Sequence, residues 1–212
     1  MKLVTICSPE FSPVAQEFFF KSWFRFPQGF NRLTTHQPPN PIGAWASRSW
    51  RSHYVWRQRM LVDELRLLPP GDQLVFCGCD TQWFEPIGVY VAGFHPEAMI
   101  VSQMDVGMIC ADFMRLTNTP EVLQLLQRVE QVVSVDGVDQ ELINRFAPDH
   151  GVSIAGLPLD EFWTTRKLWK MGDPVPEVPA TIKFHHGNWN YRIEDKLAIL
   201  SAVREEYFRA HR

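Results

Sequence analysis

The sequence predicts an α/β fold in which a mixed, mostly parallel sheet carries helices on both faces. Short apolar runs typical of strands alternate with amphipathic stretches typical of helices along most of the chain. The run Gln73–Cys79 is continuously apolar apart from its first residue, as in strands that are covered on both faces. With 212 residues, of which 45% are hydrophobic, the chain is long enough for one domain with its own core. We therefore expect a single domain spanning residues 1–212.

The first third of the chain is divided by turn-forming residues. Ser12 and Pro13 are typical of a helix N-cap followed by proline at the first helical position. The Pro-rich segment Gln37–Trp50 predicts a loop. The elements predicted between these signals are a strand at Leu3–Cys7, a helix from Pro13 to about Phe24, a strand at Gly29–Thr35 and a helix at Ser52–Leu68.

The remainder continues the alternation of strands and helices. Thr119, Pro120 and Glu121 form a helix start, with a capping hydroxyl, proline and an acid in the first turn. A Gly/Pro-rich connector is predicted at Trp169–Pro179. The other predicted elements are strands at Ala98–Gln103, Gly107–Leu116, Val152–Ala155 and Ile182–His185, and helices at Asp139–Phe146 and Glu194–Arg209.

Composition excludes several classes of protein. A formal charge of −3 and a pI near 6.2 give no broad positive field, so we expect no nucleic-acid partner. No apolar run reaches transmembrane length, and the four cysteines lie in apolar stretches, as buried thiols of a reducing compartment do. Cys77 and Cys79 lack the second cysteine pair of a zinc site. These features predict a cytoplasmic protein without a membrane span.

The strongest local signal for a site is the end of the strand in Leu74–Pro86, LVFCGCDTQWFEP. In α/β sheets, ligands bind beyond the carboxyl ends of the strands, and Asp80 lies at that point. A carboxylate there suits a hard cation such as Mg²⁺ or Mn²⁺. The alternative interpretation is that Asp80 only caps the following turn.

The segment VFCGCDTQWFEP resembles the strand-end motif of bacterial proteins related to the nucleotide-diphospho-sugar transferases, which have the GT-A fold. Their pattern is an apolar strand, Asp-x-Asp and then aromatic residues. The second acid falls on Asp80 and the first on Gly78. A second alignment takes Asp80 as the first acid and Gln82 in place of the second. Either alignment leaves the Asp-x-Asp motif altered, with one carboxylate missing.

Four later segments resemble the same family in the same order, so that the resemblance spans nearly the whole chain. They are ICADFMRLTNTPEVLQLLQRV at Ile109–Val129, VDQELINRF at Val138–Phe146, GLPLDEFW at Gly156–Trp163 and FHHGNWNYRIEDKLAIL at Phe184–Leu200. In the first of these segments, Asp112 stands where the family usually has glycine.

The resemblance implies a GT-A-like glycosyltransferase. Its donor would be a nucleotide-diphospho-sugar and its acceptor an unidentified hydroxyl compound, with Mn²⁺ or Mg²⁺ stabilising the departing diphosphate. The implied metal ligands are Asp80 and His186, and Asp139 and Gln140 are the implied catalytic residues facing the sugar. The implied substrate-binding residues are Thr5, Arg57, Gln82, Asp112, Asn188, Trp189 and Lys196.

Other interpretations of these residues remain open. Asp139 is also a good N-cap, Lys196 suits a solvated helix surface, and His185 and His186 suit ordinary hydrogen bonding at a strand end. Gly78 and Asp112 also fit a degenerate member that binds a sugar nucleotide or a protein without turnover. No Gly-rich phosphate loop or Gly-x-Ser-x-Gly turn supports a different class of α/β enzyme.

Overall fold

The computed structural model describes residues 1–26, 29–39, 48–165, 169–188 and 192–211. Its strands are β1 (Lys2–Ile6), β2 (Arg32–His36), β3 (Gln73–Gly78), β4 (Thr81–Trp83), β5 (Ile100–Asp105), β6 (Met108–Thr117), β7 (Ile154–Gly156), β8 (Phe162–Thr164) and β9 (Phe184–His186). Its α-helices are α1 (Ser12–Val14), α2 (Lys21–Arg25), α3 (Arg48–Arg66), α4 (Gly88–Gly93), α5 (Pro120–Asp136), α6 (Asp139–Phe146) and α7 (Ile193–Ala210).

Six strands form the main sheet, in the order β2-β1-β3-β6-β5-β7. Strand β1 is parallel to β2 and β3, and β7 is parallel to β5, whereas β6 is antiparallel to both of its neighbours. A three-stranded sheet, β4-β9-β8, lies beside the carboxyl end of β3. The predicted α/β class with a mixed, mostly parallel sheet is therefore confirmed.

Helices cover both faces of the main sheet because its strands are apolar on both sides. Val4 and Phe76 face a core shared with α3, α5 and α6. On the opposite face, Leu3 and Val75 contact side chains from the π-helical turn between α1 and α2 and from α4. Ten aromatic residues lie in or against this second core, as expected for large apolar rings.

The predicted helix starts differ in their outcome. Thr119 caps α5 as predicted, since its side-chain oxygen accepts a hydrogen bond from the amide of Val122 at 3.3 Å. The prediction that Ser12 is an N-cap is wrong. A 3₁₀ turn already begins at Pro9, so Ser12 has helical dihedrals inside a run that continues through the π-helical turn Ala15–Phe20.

The second half of the predicted loop Gln37–Trp50 needs a similar correction. Residues 40–47 lie outside the described residues, but α3 begins at Arg48, four residues before the predicted start. Strands β4 and β8 and helix α4 were not predicted. Each is only three to six residues long, which is too short for a period of two or 3.6 to be recognisable.

Buried Arg115 of β6 fixes the segment that joins α4 to β5. Its guanidinium donates hydrogen bonds to five backbone carbonyls, with donor–acceptor distances from 2.7 to 3.3 Å. The acceptors are Val91, Ala92, Phe94, His95 and Ala98. The carbonyl oxygens of this segment thereby receive hydrogen bonds from within the protein.

Within the described residues, no helix is both long and apolar enough to cross a membrane. All four cysteines are buried thiols.

Candidate active site

The chain turns back at the end of β3, and that turn brings Asp80 next to His186. Strand β4 follows Asp80 and pairs antiparallel with β9, with Thr81 opposite His186. The amide of Gly187 donates a hydrogen bond to the carbonyl of Asp80 at 3.0 Å. The two residues implied as metal ligands, 106 positions apart in sequence, therefore lie side by side.

A third strand, β6, adds two more side chains to this place. The Nε2 atom of His186 lies 3.4 Å from Oδ1 of Asp80 and 4.0 Å from Oδ2 of Asp112. Its Nδ1 atom lies 3.6 Å from the sulfur of Cys110. We call Asp80, Cys110, Asp112 and His186 the strand-end cluster. Cys110 is a member that sequence analysis did not assign; its only signal is its position two residues before Asp112, on the same face of a strand.

Two buried cations flank the strand-end cluster. Lys196 of α7 donates hydrogen bonds to the Asp80 carboxylate and, at 2.8 Å, to the carbonyl of Gly187. Arg57 of α3 donates from Nη1 to Oδ1 of Asp112. Lys196 is thus buried against the cluster rather than solvated on a helix surface.

Arg57 also holds Asp139, which is almost completely buried at the start of α6. The Nε atom of Arg57 and the Nε2 atom of Gln58 each donate to Oδ2 of Asp139 at 2.8 Å. The amide of Gln140 donates to Oδ1 of Asp139 at 2.8 Å. Since the N-cap residue of α6 is Val138, Asp139 occupies the first helical position instead of the cap. Gln140 accepts a hydrogen bond from the amide of Ala111 at 3.4 Å.

The charges of the strand-end cluster stabilise each other. Burial alone would raise the pKa of Asp80, but Lys196 and His186 lower it well below its usual range. Burial alone would lower the pKa of His186, but the Asp80 carboxylate raises it well above its usual range. Asp80 and His186 therefore each favour the charged form of the other, and a metal ion bound at His186 would compete with the proton on its ring.

His185 and Gln82 lie on the other side of β9 and β4, away from the strand-end cluster. Gln82 contacts Nδ1 of His185 at 3.1 Å and donates to the carbonyl of Leu200 at 2.9 Å. Thr165 contacts Nε2 of His185 at 2.9 Å. Burial and the neighbouring His186 lower the pKa of His185 to about 3, so its ring is neutral. The Gln82 side chain thus points away from the strand-end cluster. It therefore does not occupy the place of the second acid, which the alignment with Asp80 as the first acid would give it.

The remaining implied substrate residues lie at different depths. Thr5 is fully buried in β1, opposite Cys77 of β3, and its hydroxyl has no hydrogen-bond partner among the described residues. Asn188 donates a hydrogen bond to Asp105 at 2.8 Å and so joins the end of β5 to the segment after β9. Trp189 lies outside the described residues.

The donor atoms of the cluster fit a hard divalent ion. Ligand atoms of Cys110, Asp112 and His186 all lie within 4.8 Å of one another, and Asp80 approaches the same His186 nitrogen. Carboxylates and an imidazole are ligands that Mn²⁺ accepts, whereas burial raises the pKa of the Cys110 thiol and so disfavours its thiolate as a ligand. Two atoms that bind one ion at about 2.1 Å each lie at most about 4.2 Å apart. The separations from His186 Nε2 to the two acids, 3.4 and 4.0 Å, meet this limit.

Comparison with known proteins identifies the architecture. No protein-family model matches the sequence, and no curated protein matches it. Among solved structures, a glycosyltransferase involved in the glycosylation of the major capsid of PBCV-1 superimposes with a TM-score of 0.64 at 11% identity, covering 93% of this chain and 97% of that one. The protein has a GT-A-like glycosyltransferase fold.

Two further glycosyltransferases have the same GT-A-like architecture. Mouse xyloside xylosyltransferase 1, in its apo form, superimposes with a TM-score of 0.54 at 12% identity, covering 91% of this chain and 99% of that one. The apo-form glycosyltransferase GlyE of Streptococcus pneumoniae TIGR4 gives a TM-score of 0.54 at 13% identity, covering 99% of this chain and 63% of that one. Identities this low show the fold alone.

One histidine beside the site of this GT-A-like protein makes its stability depend on pH. Burial and the charge of Arg57, four residues later on α3, lower the pKa of His53 to about 4. The unfolded chain therefore takes up a proton below about pH 6.5, whereas the folded chain does not until about pH 4, so stability is lost as the pH falls through this window. Between pH 7 and pH 5 this effect lowers the free energy of unfolding by about 2 kcal/mol. We expect the free energy of unfolding of His53→Gln to fall by that much less over the same range.

Urea unfolding at the two pH values measures this effect. Substitution of exposed His211 by glutamine is the matched control. If the free energy of unfolding of His53→Gln falls as much as that of the wild type, His53 is protonated at pH 5 in the folded protein as well as in the unfolded chain.

Proposed function

We propose that the protein transfers a glycosyl group from a nucleotide-diphospho-sugar to an acceptor hydroxyl, with Mn²⁺ or Mg²⁺ held by Asp80 and His186. The observation that carries this proposal is the convergence of Asp80, His186 and buried Lys196 at the end of β3, within a fold shared with glycosyltransferases. A nucleoside diphosphate carries its charge on adjacent phosphates. A site of this kind offers that charge both a metal position and an ammonium group.

The chemistry assigned to the site is a displacement at the anomeric carbon. The bond from that carbon to the diphosphate breaks, a bond to the acceptor oxygen forms, and the nucleoside diphosphate leaves with the added negative charge. A bound divalent ion would neutralise that charge.

The chain's own residues supply the rest of the stabilisation. Lys196, fixed by Gly187 and Asp80, adds a positive charge that requires no rearrangement during the reaction. Arg57, held by Asp139, keeps a second positive charge beside Asp112. In this proposal Asp139 acts mainly by positioning Arg57, since both of its carboxylate oxygens accept hydrogen bonds from the protein. Asn188, Trp189 and Gln140 are proposed to contact the sugar.

A second candidate function is binding of a sugar nucleotide without turnover. The observation that favours it is the occupation of both acids by protein cations, Asp80 by Lys196 and Asp112 by Arg57. A metal ion has to compete with these ion pairs, which weakens its binding.

An assay of donor cleavage separates the two functions. The protein is incubated with UDP- and GDP-sugars in the presence of Mn²⁺ or of a chelator, with water as the acceptor of the glycosyl group, and the released nucleoside diphosphate is measured. The transferase proposal expects release with at least one donor and its loss with the chelator. Release from no donor, by a protein that still binds UDP or GDP, contradicts turnover and supports the binding function. The control variant is Asp136→Asn, which removes an exposed ion pair with Arg145.

A further inference from the structure

We propose that Asp112 supplies the carboxylate that the altered Asp-x-Asp motif lacks, so that the acidic pair of the metal site is divided between the end of β3 and the neighbouring strand β6. This inference rests on the proposed metal-dependent function and changes the ligand set from Asp80 and His186 to Asp80, Asp112 and His186. Asp112 thereby becomes a metal ligand instead of a substrate contact.

The strand register places Gly78, where the first acid of the motif is missing, next to Asp112, which is proposed to replace that acid. Strands β3 and β6 are antiparallel, with Cys77 opposite Phe113, so that continuing the ladder by one residue sets Gly78 opposite Asp112. Directly opposed residues of an antiparallel pair point to the same face, with Cβ atoms about 5 Å apart. A carboxylate on either strand at this level therefore reaches the same space.

The space around Gly78 supports more directly the proposal that Asp112 replaces an acid at position 78. A Cβ atom added at Gly78 would lie 3.0 Å from Oδ1 of Asp80, 3.4 Å from Cβ of Asp112 and 3.7 Å from its Cγ. The backbone at Gly78 does not adopt the left-handed conformation that requires glycine. The tight contact is the one with the Asp80 carboxylate, whereas Asp112 lies at ordinary van der Waals distance, so a side chain at position 78 would enter the space between these two acids.

The orientation of Asp112 is that of a ligand. Arg57 binds its Oδ1 atom, and its Oδ2 atom lies 4.0 Å from the same His186 nitrogen that Asp80 approaches to 3.4 Å. The Asp112 side chain is 35% exposed and that of Asp80 is 15% exposed, so an incoming ion can reach both acids. Both acids thus approach the same imidazole nitrogen of His186, with Arg57 fixing the acid that comes from β6.

The exchange of residues can be reversed experimentally. Mn²⁺ affinity is measured from the loss of the free-ion electron paramagnetic resonance signal, without nucleotide, for the wild type, Asp112→Gly, Asp112→Asn and the double variant Gly78→Asp/Asp112→Gly. We expect each single variant to bind Mn²⁺ at least about tenfold more weakly. We expect the double variant, which returns the acid to β3, to recover most of the wild-type affinity. Asp136→Asn is the matched surface control, and far-UV circular dichroism checks that each variant is folded.

The outcomes separate this inference from the function on which it rests. If folded Asp112→Asn binds Mn²⁺ as tightly as the wild type, Asp112 is not a ligand, while the proposed function stands. If the double variant is folded and binds no better than Asp112→Gly, the two positions are not equivalent and the exchange is contradicted. If the wild type itself binds no Mn²⁺, both the ligand assignment and the metal-dependent function fail.

Discussion

Replacing Asp80 by asparagine is expected to lower the rate of Mn²⁺-dependent donor cleavage by about 100-fold or more. Asparagine keeps the size of the side chain but removes the charge that pairs with His186 and Lys196. The metal ion and the ammonium group of Lys196 are then no longer held where negative charge develops on the diphosphate. The initial rate of nucleoside diphosphate release at saturating donor, measured over a range of Mn²⁺ concentrations, tests this.

Loss of folding has to be distinguished from loss of chemistry in that variant, because Asp80→Asn leaves buried Lys196 without its anion. The double variant Asp80→Asn/Lys196→Met removes both charges, and we expect it to regain much of any lost thermal stability but none of the activity. If folded Asp80→Asn keeps the wild-type rate and metal dependence, Asp80 is only a turn residue, as the alternative interpretation of the sequence holds.

Replacing Arg57 by methionine is expected to lower the free energy of unfolding by about 3–5 kcal/mol. Asp139 is 1% exposed, and loss of Arg57 leaves its carboxylate buried without a cation. Burial already raises the pKa of Asp139 against the opposing effect of Arg57. Urea unfolding measures the difference, and the matched control on the same helix is Arg59→Met. The Arg59 side chain is 65% exposed and pairs with Glu130, so its loss should cost less than about 1 kcal/mol.

The double variant Arg57→Met/Asp139→Leu tests whether the pair is structural. Removing both charges is expected to restore most of the stability, because no buried charge remains unpaired. A double variant as unstable as Arg57→Met contradicts this explanation. If the stable double variant still cleaves the donor at the wild-type rate, both the catalytic role predicted for Asp139 and the substrate-binding role predicted for Arg57 are wrong.

The place of the site could be predicted from the sequence, but most of its contacts could not. A buried apolar run that ends in Gly-Cys-Asp locates Asp80 because strand ends and ligand sites coincide in α/β sheets. Helix α6 was predicted at its observed residues, 139–146. Its link to Arg57 was not predicted, because those residues are 82 positions apart and have no shared local pattern.

The pairing of β6 with β3 is the second feature that the sequence did not reveal. The turn at Val106 and Gly107, both with positive φ, joins β5 to β6 as a hairpin and brings Asp112 opposite the end of β3. The three residues between the predicted strands Ala98–Gln103 and Gly107–Leu116 are too few for a parallel crossover and so indicate the hairpin, but they do not indicate which strand lies on the other side of β6. The sequence therefore implies only a substrate-binding role for Asp112, from its position in a motif.

Calorimetric titration with UDP and with GDP, each with and without Mn²⁺, tests most directly whether the strand-end cluster is a metal-dependent site for a nucleoside diphosphate. The account expects one of the two nucleotides to bind with Mn²⁺ and to bind at least about tenfold more weakly without it. Failure of both nucleotides to bind, with or without the metal, would contradict both the transferase and the sugar-nucleotide-binding functions.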